Sequence, residues 1–291
     1  MLVAGNDLSP LPDTEVHYLR SANVGDEFKI VVGHCGASEG ARQVPVFLGD
    51  TWANFGTAVE IIRLRRFSEV VPPILVVGVG YRTVDLNEIG ALRCRDFTPT
   101  VDLASGYSNP DMMGGADRFL AFLRDELRPW VNERFDVDPD DSMFFGDSLG
   151  GLFATHVLLT EPTVFRRYGI GSPDFDWDKK LMFNREAAYA EAHDDLAAKV
   201  FFSVGSYENS EDAKRFRSRL AAETRAEVEA KLSGLPAWDL TADTERMVAA
   251  LRSRAYPSLE IELEVLPDEY HDTAPPLNLS RSVRYLFDMP R

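Results

Sequence analysis

Between the apolar run Ser142–Phe145 (SMFF) and the helical pattern Gly151–Leu159 (GLFATHVLL) stands Gly146-Asp147-Ser148-Leu149-Gly150-Gly151. A β-run that passes into a helix through a G-x-S-x-G turn leaves the chain few ways to fold. Such a turn presses the serine against its neighbours, so glycine is expected at 146 and 150, where a Cβ has no room. It also holds the serine hydroxyl above a sheet edge, where the start of the next helix aims free N–H groups and a positive dipole end at a reacting oxygen. A serine in this place can instead simply cap a helix. The strand before Ser148, the helix after it and the additional Gly151 favour a nucleophile.

Around this turn the periodicity alternates between short β-rich runs and longer helical ones, which predicts an α/β fold with a mostly parallel central sheet and helices on both faces. Glu27–His34, Val44–Leu48, Ile74–Tyr81, Ser142–Phe145, Val200–Val204 and Leu259–Leu266 read as strands. Phe119, Leu120, Leu123, Leu127, Trp130 and Val131 share one face at a period near 3.6, and Leu149–Leu159 and Asp212–Leu220 also read as helices. No repeat or low-complexity tract interrupts the pattern, so one domain over residues 1–291 is expected. Two segments break the rhythm: the glycine-rich Ser105–Gly115, whose Met112 and Met113 suit a cover for a modest acyl group, and Asn209–Ser258, a longer helical stretch of the kind that shapes pockets.

Composition narrows the function. With 31 basic against 47 acidic residues the net charge is −16, which argues against nucleic acid or an anionic membrane as partner. No apolar stretch approaches the ~20 residues needed to cross a bilayer. Residues 1–20 lack the basic start and apolar run of a secretory leader, so a cytoplasmic protein is expected. Two cysteines, Cys35 and Cys94, make no disulfide framework and have no metal-site spacing.

A serine hydroxyl needs a base within reach and a third group to orient that base. In this architecture the order along the chain is serine, acid, histidine. Outside the helix that follows Ser148, only His193 and His271 come later. His193 lies in the charged, helical AEAHDDLAAK and reads as a solvated face. His271 follows the last strand, just before a terminal amphipathic helix, where a loop returns to the carboxyl edge of the sheet. It is the expected base. Glu208, just past VFFSV, is the expected acid, with Glu211, Asp212 and Asp243 as alternatives; Asp174 and Asp176 follow an earlier candidate strand and fit less well. For the oxyanion, one donor is expected from the Leu149 N–H and the other from the loop after VPVFL, at Thr51 or Asp50. Trp52 and Arg95 are candidate substrate contacts, although packing suits Trp52 and a salt bridge between Arg95 and Asp96 suits the RCRDFTP segment. All the required groups are protein groups, so no metal or cofactor is implied.

VPVFLGDTW, PPILVVGVGY, RCRDFTP, FFGDSLGGLFATH, FFSVGSYEN and EVLPDEYHDT occur in order from about residue 25 onward. In these segments the chain resembles the esterase family of α/β-hydrolases that includes the enterobactin-type siderophore esterases, esterase D and the mycolyltransferases. RCRDFTP and GSYEN point toward the siderophore-esterase branch. The resemblance implies an α/β-hydrolase fold, Ser148 as nucleophile, His271 as base and Glu208 as acid, with a small-molecule ester as substrate. The loop Gly49-Asp50-Thr51-Trp52 stands where siderophore esterases usually carry an Asp-Gly pair. The same residues would serve an acyltransferase, a non-catalytic ligand-binding member, or a peptidase or lipase, and the sequence leaves these open along with the oligomeric state.

Overall fold

Apolar runs buried on both faces form the middle of an eight-stranded sheet. In this computed structural model, which describes residues 11–36, 42–106, 109–232 and 237–288, the strands are β1 (Thr14–Arg20), β2 (Glu27–Cys35), β3 (Val44–Leu48), β4 (Ile74–Gly80), β5 (Met143–Asp147), β6 (Arg167–Gly171), β7 (Ala198–Gly205) and β8 (Leu259–Leu266). Residues 107 and 108 of the Ser105–Gly115 loop, 233–236 of the Asn209–Ser258 stretch and 1–10 of the N-terminal stretch lie outside the described residues.

The sheet order is β1-β2-β4-β3-β5-β6-β7-β8, antiparallel for the β1–β2 and β2–β4 pairs and parallel for all the others. The expected mostly parallel sheet is therefore what forms. β3 and β5 are neighbours although β4 intervenes in sequence, so the chain runs outward in opposite directions from this pair. A crevice opens at such a switch point, beyond the carboxyl ends of the strands.

Ten helices are described: α1 (Thr51–Phe67), α2 (Leu86–Phe97), α3 (Ala116–Phe122), α4 (Arg128–Arg134), α5 (Leu149–Leu158), α6 (Trp177–Ala192), α7 (Ser210–Arg217), α8 (Ala222–Leu232), α9 (Leu240–Ser253) and α10 (Ala274–Phe287). Side chains alternate along each strand, so the sheet supports two cores. Val46, Leu48, Ile74, Val76, Met143 and Phe145 face α1 and α10. Phe47, Leu75, Val77 and Phe144 face the opposite way, into a core closed by α2 to α6 and α9. Every residue of α5 is buried, as a helix apolar all round must be.

Four readings need correction. β1 was not anticipated: it is an edge strand whose residues are half-buried or exposed, so it lacks the apolar run that marks an interior strand. The helix expected across Phe119–Val131 is α3 and α4 joined by a π-helical turn at Leu123–Leu127. Met113 is buried in the larger core, and neither it nor Met112 lines the cavity described below. His193 is exposed, as expected, but it caps the end of α6 instead of riding its face, with its ring stacked 4.1 Å from that of Tyr189. Both cysteines are buried and free, and burial pushes their thiols up to about 11 at Cys35 and about 12 at Cys94. Among the described residues no helix is long and apolar enough to cross a membrane.

Candidate active site

Ser148 stands between β5 and α5 with φ 60° and ψ −120°. A residue with a Cβ pays roughly 1–3 kcal/mol for such a conformation, and the surrounding packing must enforce it. Here the Ser148 N–H donates to the Gly171 carbonyl of β6 (3.0 Å), while the Ser148 carbonyl accepts from Leu152 and Asp174 (2.9 and 3.2 Å).

The glycines divide differently from the sequence reading. A Cβ on Gly146 would sit 2.1 Å from the Gly150 carbonyl oxygen, and one on Gly151 would sit 2.6 Å from the Gly171 carbonyl oxygen, both immovable backbone. On Gly150 the nearest atom is the Asp50 Oδ2 at 3.1 Å, so this position is the less constrained. Gly146→Ala is therefore expected to lower stability by about 2 kcal/mol or more, and Gly150→Ala by clearly less. Urea-unfolding midpoints of the two variants check the order.

His271 lies between β8 and α10, and Glu208 lies between β7 and α7. The two come together with Ser148 because β5, β7 and β8 end on the same edge of the sheet. His271 Nε2 is 3.0 Å from Ser148 Oγ, and His271 Nδ1 is 2.6 Å from Glu208 Oε2. Glu208 is fully buried, and its other oxygen accepts from the Gly205 N–H and from the Ser172 hydroxyl, both at 2.6 Å. Burial opposes a proton on the His271 ring, but the hydrogen bond and charge of Glu208, aided by Asp147 and Asp174, outweigh it. The imidazole is thereby held above its ordinary 6.5.

The other acids are placed elsewhere. Glu211 and Asp212 sit in the first turn of α7, whose N-terminus is capped by Asn209. Asp243 is paired with Lys180 across a 2.6 Å contact. Asp174 and Asp176 line the cavity without bonding to His271, and burial raises the Asp174 carboxyl to about 6.

Leu149 is the first residue of α5, and Thr51 the first of α1. Among the described residues neither N–H is taken by a protein acceptor, as suits the open end of a helix. Asp50 is buried and makes no side-chain cap for α1, because Arg93 holds its carboxylate through Nε (2.5 Å) and Nη2 (3.1 Å). The same guanidinium reaches the Asp147 carbonyl at 3.5 Å. Arg93 thus ties the loop after β3 to the end of β5, a role sequence reasoning missed; the signal available was only its place at the start of RCRDFTP.

Trp52 and Arg95 are the two expected contacts that the structure does not bring to the cavity. Trp52 is 56% exposed on α1. Arg95 donates to both oxygens of Asp96 and to Asp26, which makes it a brace between α2 and the turn that joins β1 to β2.

Ser148 and His271 open into a cavity of about 580 Å³, whose walls include Asp174, Trp177, Lys179 and Trp238. Trp238, Ala237 and Leu240 come from the Asn209–Ser258 stretch, which does shape the pocket. Lys179 belongs to a left-handed turn at the start of α6, where Asp178, Lys179 and Lys180 have φ of 46°, 57° and 64°. Asp102 accepts from the Asp178 N–H at one end of this turn, and Asp243 holds Lys180 at the other.

Comparison with known proteins agrees with this architecture. The family model described as "Putative esterase" matches residues 40–237. The ferri-bacillibactin esterase of Bacillus subtilis (strain 168) is 33% identical over 184 residues, which span 60% of this chain and 63% of that one, a little under two thirds of the relative. The siderophore triacetylfusarinine C esterase of Aspergillus fumigatus is 31% identical over 234 residues, 74% of this chain and 78% of its own. Among solved structures, a siderophore hydrolase of Aspergillus nidulans superposes with a TM-score of 0.79 at 22% identity, covering 98% of each chain, and so shares the fold. An α/β-hydrolase sheet with a serine turn at its switch point, matched by these relatives along most of its length, places the chain in the esterase family.

Proposed function

We propose that this protein hydrolyses carboxylic esters through an acyl-enzyme on Ser148, with His271 as general base and Glu208 as its orienting acid. The observation that carries the reading is the continuous contact from Ser148 Oγ to His271 Nε2 to Glu208, at 3.0 and 2.6 Å, opening into a cavity. Glu208 accepts the Nδ1–H, which leaves Nε2 with its lone pair toward the serine. As Ser148 Oγ bonds to the ester carbonyl carbon, its proton passes to Nε2 and the carbonyl oxygen takes up the negative charge. The Leu149 N–H and an N–H of the Asp50–Thr51 loop are the donors to that oxygen. Collapse breaks the bond to the alkoxy oxygen, which leaves with the proton from Nε2. Water then repeats the sequence on the acyl-enzyme and releases the acid and the serine.

The substrate class proposed is a siderophore-type ester or another ester of similar size. The names of the two relatives support this, as does a cavity in the usual size range for small-molecule sites. Trp238 offers an aromatic side chain to planar groups, and Lys179 offers a cation to anionic ones. A fluorophosphonate is expected to label Ser148 stoichiometrically and to stop turnover of both p-nitrophenyl and siderophore esters. Labelling elsewhere, or none on folded protein, would refute the mechanism.

A further inference from the structure

The hydrogen bonds behind His271 do not end at Glu208. We infer that Ser172 and Asn278 are positioning residues for the proposed reaction, forming with Asp147 a buried chain that fixes the orientation of the Glu208 carboxylate. The inference rests on the reading that Glu208 orients His271.

Asn278, on the buried stripe of α10, donates from Nδ2 to Asp147 Oδ1 (2.7 Å) and to Ser172 Oγ (2.9 Å). Ser172 Oγ in turn donates to Glu208 Oε1 (2.6 Å). Ser172, Asn278 and Glu208 are fully buried and Asp147 nearly so, so water does not substitute for these bonds.

Counting donors gives the chain a direction. A carboxylate at Asp147 can only accept, so the amide must present its NH2 end there. The second N–H of that group then points at Ser172, whose oxygen must accept it. The single hydroxyl proton of Ser172 is left for Glu208. With the amide reversed, its oxygen would face the Asp147 carboxylate and would draw the Ser172 proton away from Glu208. The Asn278 Oδ1 is buried without a partner, so the amide is held by its NH2 end alone.

The backbone is arranged to permit this. Ser172 has φ 40°, in the left-handed region, and its N–H is anchored to the Ser203 carbonyl at 2.7 Å. A Cβ on the preceding Gly171 would lie 2.3 Å from Asp147 Oδ1 and 2.9 Å from Asn278 Nδ2. The residue next to the nucleophile and the acid that orients its base are thus joined through the C-terminal helix.

Two variants test the direction. Ser172→Gly removes the hydroxyl while relieving the left-handed backbone, so the fold is kept. It is expected to lower kcat about 10–100-fold, with KM changed less than about twofold. The exchange Asp147→Asn with Asn278→Asp keeps the charge and the bond between residues 147 and 278 but turns the Ser172 proton toward residue 278, so its bond to Glu208 is lost. It is expected to lose at least as much kcat. Wild-type kcat in Ser172→Gly, or in the folded exchange variant, overturns the inference. If Glu208→Gln is impaired while Ser172→Gly is not, only the positioning role fails; if Glu208→Gln itself keeps full activity, the proposed mechanism fails with it.

Discussion

Ser148→Ala is expected to cut ester turnover by about 10⁴–10⁶-fold and to abolish fluorophosphonate labelling, with substrate binding little changed. The size of the effect follows from the role. Without Oγ there is no covalent intermediate, and what remains is water held near the N–H donors at Leu149 and the Asp50–Thr51 loop. The cavity walls, among them Trp177 and Trp238, are untouched. A companion variant separates chemistry from folding. Since Ser148 is held at φ 60°, Ser148→Gly should be equally inactive yet more stable than the wild type by about 1 kcal/mol. Thermal unfolding and steady-state kinetics on the same preparations check both parts.

The second large effect concerns pH. The base acts only as neutral imidazole, so kcat/KM rises as His271 loses its proton. Glu208, Asp147 and Asp174 favour the protonated ring against its burial, so the acidic limb of the profile is expected above 6.5. Glu208→Gln removes the largest of the groups that hold the proton and leaves the burial that expels it. The limb is then expected to move to lower pH, while the plateau falls by about 10²–10⁴-fold because the ring loses its tautomer and aim. His271→Ala should lose at least as much and show no such limb. A profile of kcat/KM from pH 5 to 9 for the three proteins decides the matter; an unmoved limb in Glu208→Gln would contradict the role given to that carboxylate.

These two effects draw on different kinds of information. The serine turn was legible because its requirements are local: an apolar strand, a glycine where the next turn of backbone passes, and a helix start follow one another along the chain. Most interior strands were legible for a similar reason, since a strand buried on both faces tends to be an unbroken apolar run, as β3 and β4 are, whereas β6, Arg-Tyr-Gly-Ile-Gly, carries no such run. β1 escaped notice because an edge strand with one open face obeys no such demand. Arg93 and the chain through Ser172 and Asn278 were hidden altogether. Nothing in the composition of RCRDFTP separates an arginine that braces the β3 loop from one that meets Asp96, and an asparagine on an amphipathic helix looks like any other polar residue until its neighbours are known. Trp52 and Arg95 were drawn toward the cavity by residue type and lie away from it by position.

Taken alone, the order of residues determined the layered α/β class, the bend that exposes Ser148 and the ranking of His271 over His193, all consequences of short-range sterics and of which surfaces must leave water. That Glu208, the expected acid, meets the imidazole while its alternatives Glu211, Asp212 and Asp243 do not, how the loop after β3 is held against β5, and what directs the buried carboxylate were decided in three dimensions. A 2.6 Å contact between residues 63 apart in the chain depends on strand order and register, and neither is encoded within any one segment.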